Sequence, residues 1–352
     1  MEKKVNLNYK AYADIARIMA AFAVVLLHVS GARLVRVDIG SMKFMWAAAF
    51  DCAMRWSVPV FVMLSGMLFL NKEKALDIKR LYSKNILRLV TAFLFWSFVY
   101  NFYNAFLSAR SVASALPMAL KNIHNGAMHL WFVFVIIGLY IALPFIKRMC
   151  ENLTKREAEG FILLSILVTL LPKTLSAFEM CKPLAEYINK FEITYAAGYV
   201  GMFVAGWYID SFERKKCERV ISYILGTLGF VFMFTATVYY SIERGSVVDE
   251  FMSFKSISAF LMAFAFVDGC KALFKDKEYS RNTKAYLKLF SNCTFGVYLV
   301  HELVLNLSSG KGLFLFESMP YIGIPLEAVV IFLISFAFTK FVTLLPFGKY
   351  IS

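Results

Sequence analysis

The sequence predicts an all-α, polytopic membrane protein with about ten transmembrane helices in one bundle. Three observations predict it. Apolar runs of membrane-spanning length recur from residue 11 almost to the end of the chain. Charged residues make up 18% of the chain, below the roughly 25% typical of soluble domains. Lysine and arginine gather in short clusters between the apolar runs, on alternate loops.

About 20 apolar residues cross a bilayer. On that measure the spans are 11–30, 44–70, 87–107, 129–147, 159–172, 195–211, 219–240, 254–274, 287–307 and 321–346. Pro172 closes the short fifth span. Pro59 is expected to kink the long second one, because proline removes a backbone donor. The first run contains Asp14 and Arg17 and lacks a clear small-residue cleavage site, so it is expected to remain as a helix. No linker, repeat or low-complexity tract interrupts the pattern, and residues 1–352 read as a single membrane-embedded domain with no appended soluble domain.

Orientation follows from the basic residues. With the N-terminus inside, the inner loops and adjoining helix ends receive Lys3, Lys4, Lys10 and Arg17. They also receive the clusters at 72–88, 147–156, 214–219 and 271–288, with Lys340 and Lys349. These account for most of the 38 lysines and arginines, so both termini are expected on the cytoplasmic side. The same distribution explains the net charge of +14 through contact with membrane lipids and argues against nucleic acid. The six cysteines contain no Cys-x-x-Cys, so no metal or redox motif is visible. Only Cys52 and Cys181 would lie near the outer face, which makes them the one pair this topology would let form an outer disulfide.

The first span carries three ionisable side chains, and such groups are rare in hydrocarbon unless they have work to do. Asp14 and Arg17 are three apart and can pair along one helix face. His28 follows Arg17 by eleven residues, three turns plus about 20°, which puts it on that face about 16 Å further on. A histidine in a bundle also reads as a hydrogen-bonded core residue, and an acid–base pair at a helix start also reads as an interfacial cap. In this topology His28 lies in the outer half. His129 and Trp131 enter from the outer surface, and Tyr298 and His301 lie near mid-depth or above. Ser65 and Gly66 approach the cytoplasm, and His124 lies on the surface.

These residues also carry a family resemblance. The Asp14–Arg17–His28 pattern resembles the opening motif of the acyltransferase 3 family of integral membrane O-acyltransferases. Phe61-Val-Met-Leu-Ser65-Gly66-Met67 resembles its apolar Ser-Gly-Phe segment, with Met for Phe. His129-Leu-Trp131-Phe resembles its His-Leu-Trp-Phe, and Gly296-Val-Tyr298-Leu-Val-His301 its Gly-Ile-Tyr-Leu-x-His. Four motifs in order, spread from residue 14 to 301, cover most of the chain.

The resemblance implies a membrane enzyme that moves an acyl group, acetyl foremost, from cytoplasmic acyl-CoA to a hydroxyl of an envelope carbohydrate or lipid-linked glycan. It would work in the plasma or inner membrane. The acyl-CoA would be a substrate, with no cofactor held permanently. His28 would be the essential imidazole, as general base or acyl carrier. Asp14 would hold Arg17, whose guanidinium suits an anionic or thioester oxygen of the donor. Ser65, Lys84 and Arg88 would join Arg17 at the donor. His129, Trp131 and Tyr298 would meet the acceptor, and His301 would be a second catalytic candidate.

Two positions depart from the family pattern. Asn85-Ile-Leu-Arg88 stands where the family has Arg-x-x-Arg, with Lys84 as the stand-in cation. Glu302 stands where the family often has Pro. The basic 79–88 segment also reads as a headgroup anchor, and Trp131 as part of an interfacial aromatic belt. The alternative to an enzyme is an exporter of an envelope polysaccharide or precursor, with Arg17, His28 and His301 lining its path.

Overall fold

The computed structural model describes residues 10–190, 198–308 and 319–352. All regular structure among them is helical. In chain order the helices are α1 (Ala11–Leu34), α2 (Met42–Met54), α3 (Ser57–Phe69), α4 (Ile78–Ala109) and α5 (Val112–Lys121). There follow α6 (Met128–Asn152), α7 (Lys155–Leu175), α8 (Lys182–Asn189), α9 (Val200–Ser211) and α10 (Lys216–Arg244). The last are α11 (Ile257–Phe274), α12 (Arg281–Ser308), α13 (Pro320–Thr343) and α14 (Gly348–Ile351).

Eight segments among the described residues are long and apolar enough to cross a membrane. Their starts follow local chemistry. Ser41 caps α2 by accepting from the Phe44 amide, and Ser256 caps α11 by accepting from the Ala259 amide. Thr154 and Glu157 form a reciprocal capping box at the start of α7.

The two remaining expected spans fare differently. The 195–211 span is represented by α9, whose 12 residues rise only about 18 Å; residues 195–197 lie outside the described residues. The 287–307 span falls inside α12, which is long enough but carries Ser291, Asn292, Thr294, His301 and Glu302 and so fails on apolarity. The expected kink at Pro59 takes the form of a short break. The span is interrupted at Arg55 and Trp56, in the turn before Pro59, where proline's missing N–H and its ring disfavour the bond back to the Arg55 carbonyl.

The chain divides into two compact units, each discontinuous in sequence. The first comprises Met1–Leu68 and Thr154–Thr294. Here α10 packs along α11, and α1 lies against α2 and α11. Helices α3 and α9 cross almost backbone to backbone. A Cβ on Gly66 would stand 1.8 Å from the Phe203 carbonyl oxygen, and one on Gly206 would stand 1.8 Å from that of Met63. Small residues allow such crossings in lipid, where dispersion between close backbones replaces the hydrophobic drive. The buried Lys271 ammonium donates to the Ile209 and Asp210 carbonyls at the end of α9, at 2.7 and 3.2 Å. In the short connection that follows, Glu213 accepts from Lys275 at 2.6 Å, and this bond holds the Glu213 carboxyl below its ordinary range and the Lys275 ammonium above its own.

The second unit comprises Phe69–Leu153 and Phe295–Ser352. Helix α4 is its spine, contacting α5, α6 and α14. The Trp96 indole donates to the Ile351 carbonyl at 2.7 Å, and Arg88 donates to that of Ser352. Lys147 on α6 donates to the Asn71 carbonyl at 2.6 Å.

Candidate active site

In the first unit, α1 begins with a built polar network. The Ser291 hydroxyl donates to Asp14 Oδ1 at 2.6 Å and accepts from Arg17 Nη1 at 3.1 Å. Arg17 Nη1 stands 3.7 Å from Asp14 Oδ1 directly. The expected pair is therefore present, with α12 as its bridge. Lys10 and Tyr12 both donate to Asp210 just before this network, fixing the entry of α1. His28 lies eleven residues beyond Arg17 on the same straight helix and is half-buried.

Ser65 is half-buried, and its hydroxyl donates to the Phe61 carbonyl of its own helix at 2.9 Å. Gly66 beside it serves the crossing with α9. The thiols of Cys52 and Cys181 are free, so the outer disulfide that the topology would allow is not formed. Cys52 is buried against Thr237, 3.9 Å from its hydroxyl.

The sequence reading passed over a second buried ion pair in this unit. Asp51 on α2 is 2% exposed and accepts from Arg55 Nε at 2.6 Å and Nη2 at 2.5 Å. The Arg55 guanidinium lies 5.1 Å from the centre of the Phe254 ring. Asp51 Oδ2 lies 3.0 Å from where a Cβ on Gly31 would stand, and Gly31 is one turn beyond His28 on α1. Two opposite charges four apart inside an apolar run were the available signal. A cavity of about 240 Å³ opens elsewhere in this unit among Ile162, Leu225, Phe260 and Phe264, with Glu159 and Arg214 also lining it. None of the expected site residues lines it.

In the second unit, His129, Tyr298 and His301 lie together. His129 is buried in the 3₁₀ turn Met128–Leu130, and His301 on α12 is fully buried. Their ring centroids are 5.4 Å apart. The Tyr298 hydroxyl donates to the His129 carbonyl at 2.6 Å. His301 Nδ1 lies 2.8 Å from the Tyr298 carbonyl and 3.1 Å from that of Val297. Carbonyl oxygens only accept, so Nδ1 carries the proton, and in the neutral ring Nε2 carries the lone pair. A residue the sequence reading missed completes the cluster. Tyr100 on α4 is buried, with its ring 4.9 Å from that of His129.

Trp131 is half-buried beside Phe132, at a ring separation of 6.0 Å. Lys84 is exposed on the π-helical turn Leu81–Ile86, and Arg88 lies one turn on with its guanidinium 5.7 Å from the Phe295 ring centre. The two cations thus share one helix face. His124 is exposed, as expected.

These features define a class: a helical multi-pass membrane protein that buries imidazoles and paired charges among its helices. A family model described as an acyltransferase domain, that of the acyltransferase 3 family, matches residues 10–344, and the chain belongs to that family. It is a membrane acyltransferase. No curated protein and no solved structure gives a significant match.

Proposed function

We propose that the protein transfers an acetyl group from cytoplasmic acetyl-CoA to a hydroxyl of an envelope carbohydrate or lipid-linked glycan, in the plasma or inner membrane. The observation that carries this reading is the layout of α1. Arg17 is held by Asp14 and Ser291, and His28 lies about 16 Å further along the same helix. An extended pantetheine arm is of that order. A donor phosphate bound by Arg17 would leave the thioester within reach of His28, and Lys84 and Arg88 are the further cations assigned to the donor. Imidazole titrates near neutrality and suits a base in such a step.

In the step itself, the acceptor oxygen attacks the thioester carbonyl as His28 takes its proton. The carbon–sulfur bond breaks, the acetyl ester forms, and the CoA thiolate leaves and recovers a proton. His301, with Nε2 as its acceptor atom, is the second base candidate, and His129, Trp131 and Tyr298 are the residues assigned to the acceptor. Membership of an acyltransferase family favours this enzyme over an exporter. The test compares base-labile acetyl esters on envelope carbohydrate from cells with and without the gene. The reading expects their loss on deletion and their return on complementation; an unchanged ester content contradicts it.

A further inference from the structure

The Tyr100 hydroxyl of α4 reaches the backbone of α12 at the turn that carries His301. In an α-helix the Leu303 amide would bond the Leu299 carbonyl, four residues back. The Tyr100 hydroxyl engages both of these groups. It accepts from the Leu303 amide at 3.0 Å and donates to the Leu299 carbonyl at 2.9 Å. A side chain inserted into the backbone ladder is a recognised cause of a local bend. His301 lies midway between the two residues involved, and its Nδ1 is committed to the carbonyls of Val297 and Tyr298 in the same stretch. Tyr100 is held in place by burial and by edge-on packing against His129.

We propose that Tyr100 is a positioning residue: its hydroxyl, bonded to both Leu299 and Leu303, sets the turn of α12 that aims the His301 imidazole. A tyrosine at this place would cost nothing to replace with phenylalanine if it only filled space. As a wedge, its hydroxyl is the part that matters. The catalytic consequence rests on the acetyl-transfer reading above; the effect on His301 does not.

The full-length protein in lipid nanodiscs tests both. Tyr100→Phe keeps the ring and removes the hydroxyl, so the Leu303 amide and the Leu299 carbonyl both lose it as a partner. The expected result is a displaced set of ¹⁵N-histidine signals for His301, assigned by their absence in His301→Gln, with the other histidines largely in place. With acetyl-CoA and acceptor, kcat is expected to fall about tenfold to a hundredfold while KM for each substrate moves less than about twofold, the pattern of a misaimed group. Para-aminophenylalanine at position 100, which restores a donor and an acceptor at the ring position, is expected to recover both. Unmoved His301 signals in Tyr100→Phe overturn the wedge. Moved signals with wild-type kcat overturn its role in the reaction. Should the wild-type protein transfer no acetyl group, the acetyl-transfer reading falls and the ¹⁵N spectra alone decide the wedge.

Discussion

Arg17 shows what a single residue's neighbours add to its reading. Sequence spacing pairs it with Asp14, and the pair is present. Ser291, 277 positions from Asp14, is invisible to any local pattern, yet it bridges the two side chains. Three hydrogen-bonding groups in line keep a membrane-embedded guanidinium fixed at low cost, because each desolvated group has a partner. Asp51 and Arg55 were legible in principle as opposite charges one turn apart, but a long apolar run around them drew attention to its length instead. Tyr100 carried no signal, since tyrosine is ordinary in a membrane helix and its role depends on a backbone contact some 200 positions away. Lys84 and Arg88 remain the sharpest residue-level wager. If they bind donor phosphates, Lys84→Ala and Arg88→Ala should each raise KM for acetyl-CoA several-fold with a smaller change in kcat, because the lost contact is common to ground and transition states. Steady-state kinetics at saturating acceptor decides this, and unchanged KM in the double variant reduces the pair to a headgroup anchor.

Among the elements, the apolar helices were legible because length and hydropathy alone define them. Helix α12 was found from its motif more than from its hydropathy, and its polarity is the reason: the residues that make it a site helix are those that dilute its apolar character. The break between α2 and α3 was legible from Pro59, because proline disrupts the helix in the turn before it. The crossing of α3 with α9 yields a stability prediction. Gly66→Leu drives a side chain into the Phe203 backbone, and overpacking of this kind costs about 1–3 kcal/mol or more. Reduced monodisperse yield and a lower melting midpoint in detergent should follow, while Met67→Leu, which conserves volume at a neighbouring buried site, should keep both. The loop after α9 adds a pH dependence. Glu213 is held low by Lys275, so its contribution is present above the carboxylate's unfolded pKa and is lost as pH falls through the folded one. Lys275 is held high, so the same bond weakens again at strongly alkaline pH. Glu213→Gln should flatten the acid side of a plot of protease resistance at this loop against pH; an unchanged acid limb would show that the bond contributes nothing there.

For the whole molecule, family membership establishes an acyltransferase, and the helices establish a multi-pass membrane architecture. From the basic clusters we propose a cytoplasmic side for the 72–86 loop and for both ends of the chain. In a cysteine-free background, Asp38→Cys, Asn125→Cys and Ser246→Cys should react with an impermeant thiol reagent on intact cells, and Lys74→Cys should not. Labelling of position 74 alone would invert the orientation and put the donor cations on the wrong face. The expected outer loops at 173–194 and 308–320 run into 191–197 and 309–318, outside the described residues.

The central claim is that acetyl moves from acetyl-CoA to a carbohydrate hydroxyl with His28 as the base. The most direct measurement supplies radiolabelled acetyl-CoA to the purified protein in nanodiscs together with envelope glycan, and follows base-labile label in the glycan. The account predicts time-dependent incorporation by the wild type. It predicts none above background by His28→Ala that purifies and melts as the wild type does. Incorporation by His28→Ala at near-normal rate would contradict the account.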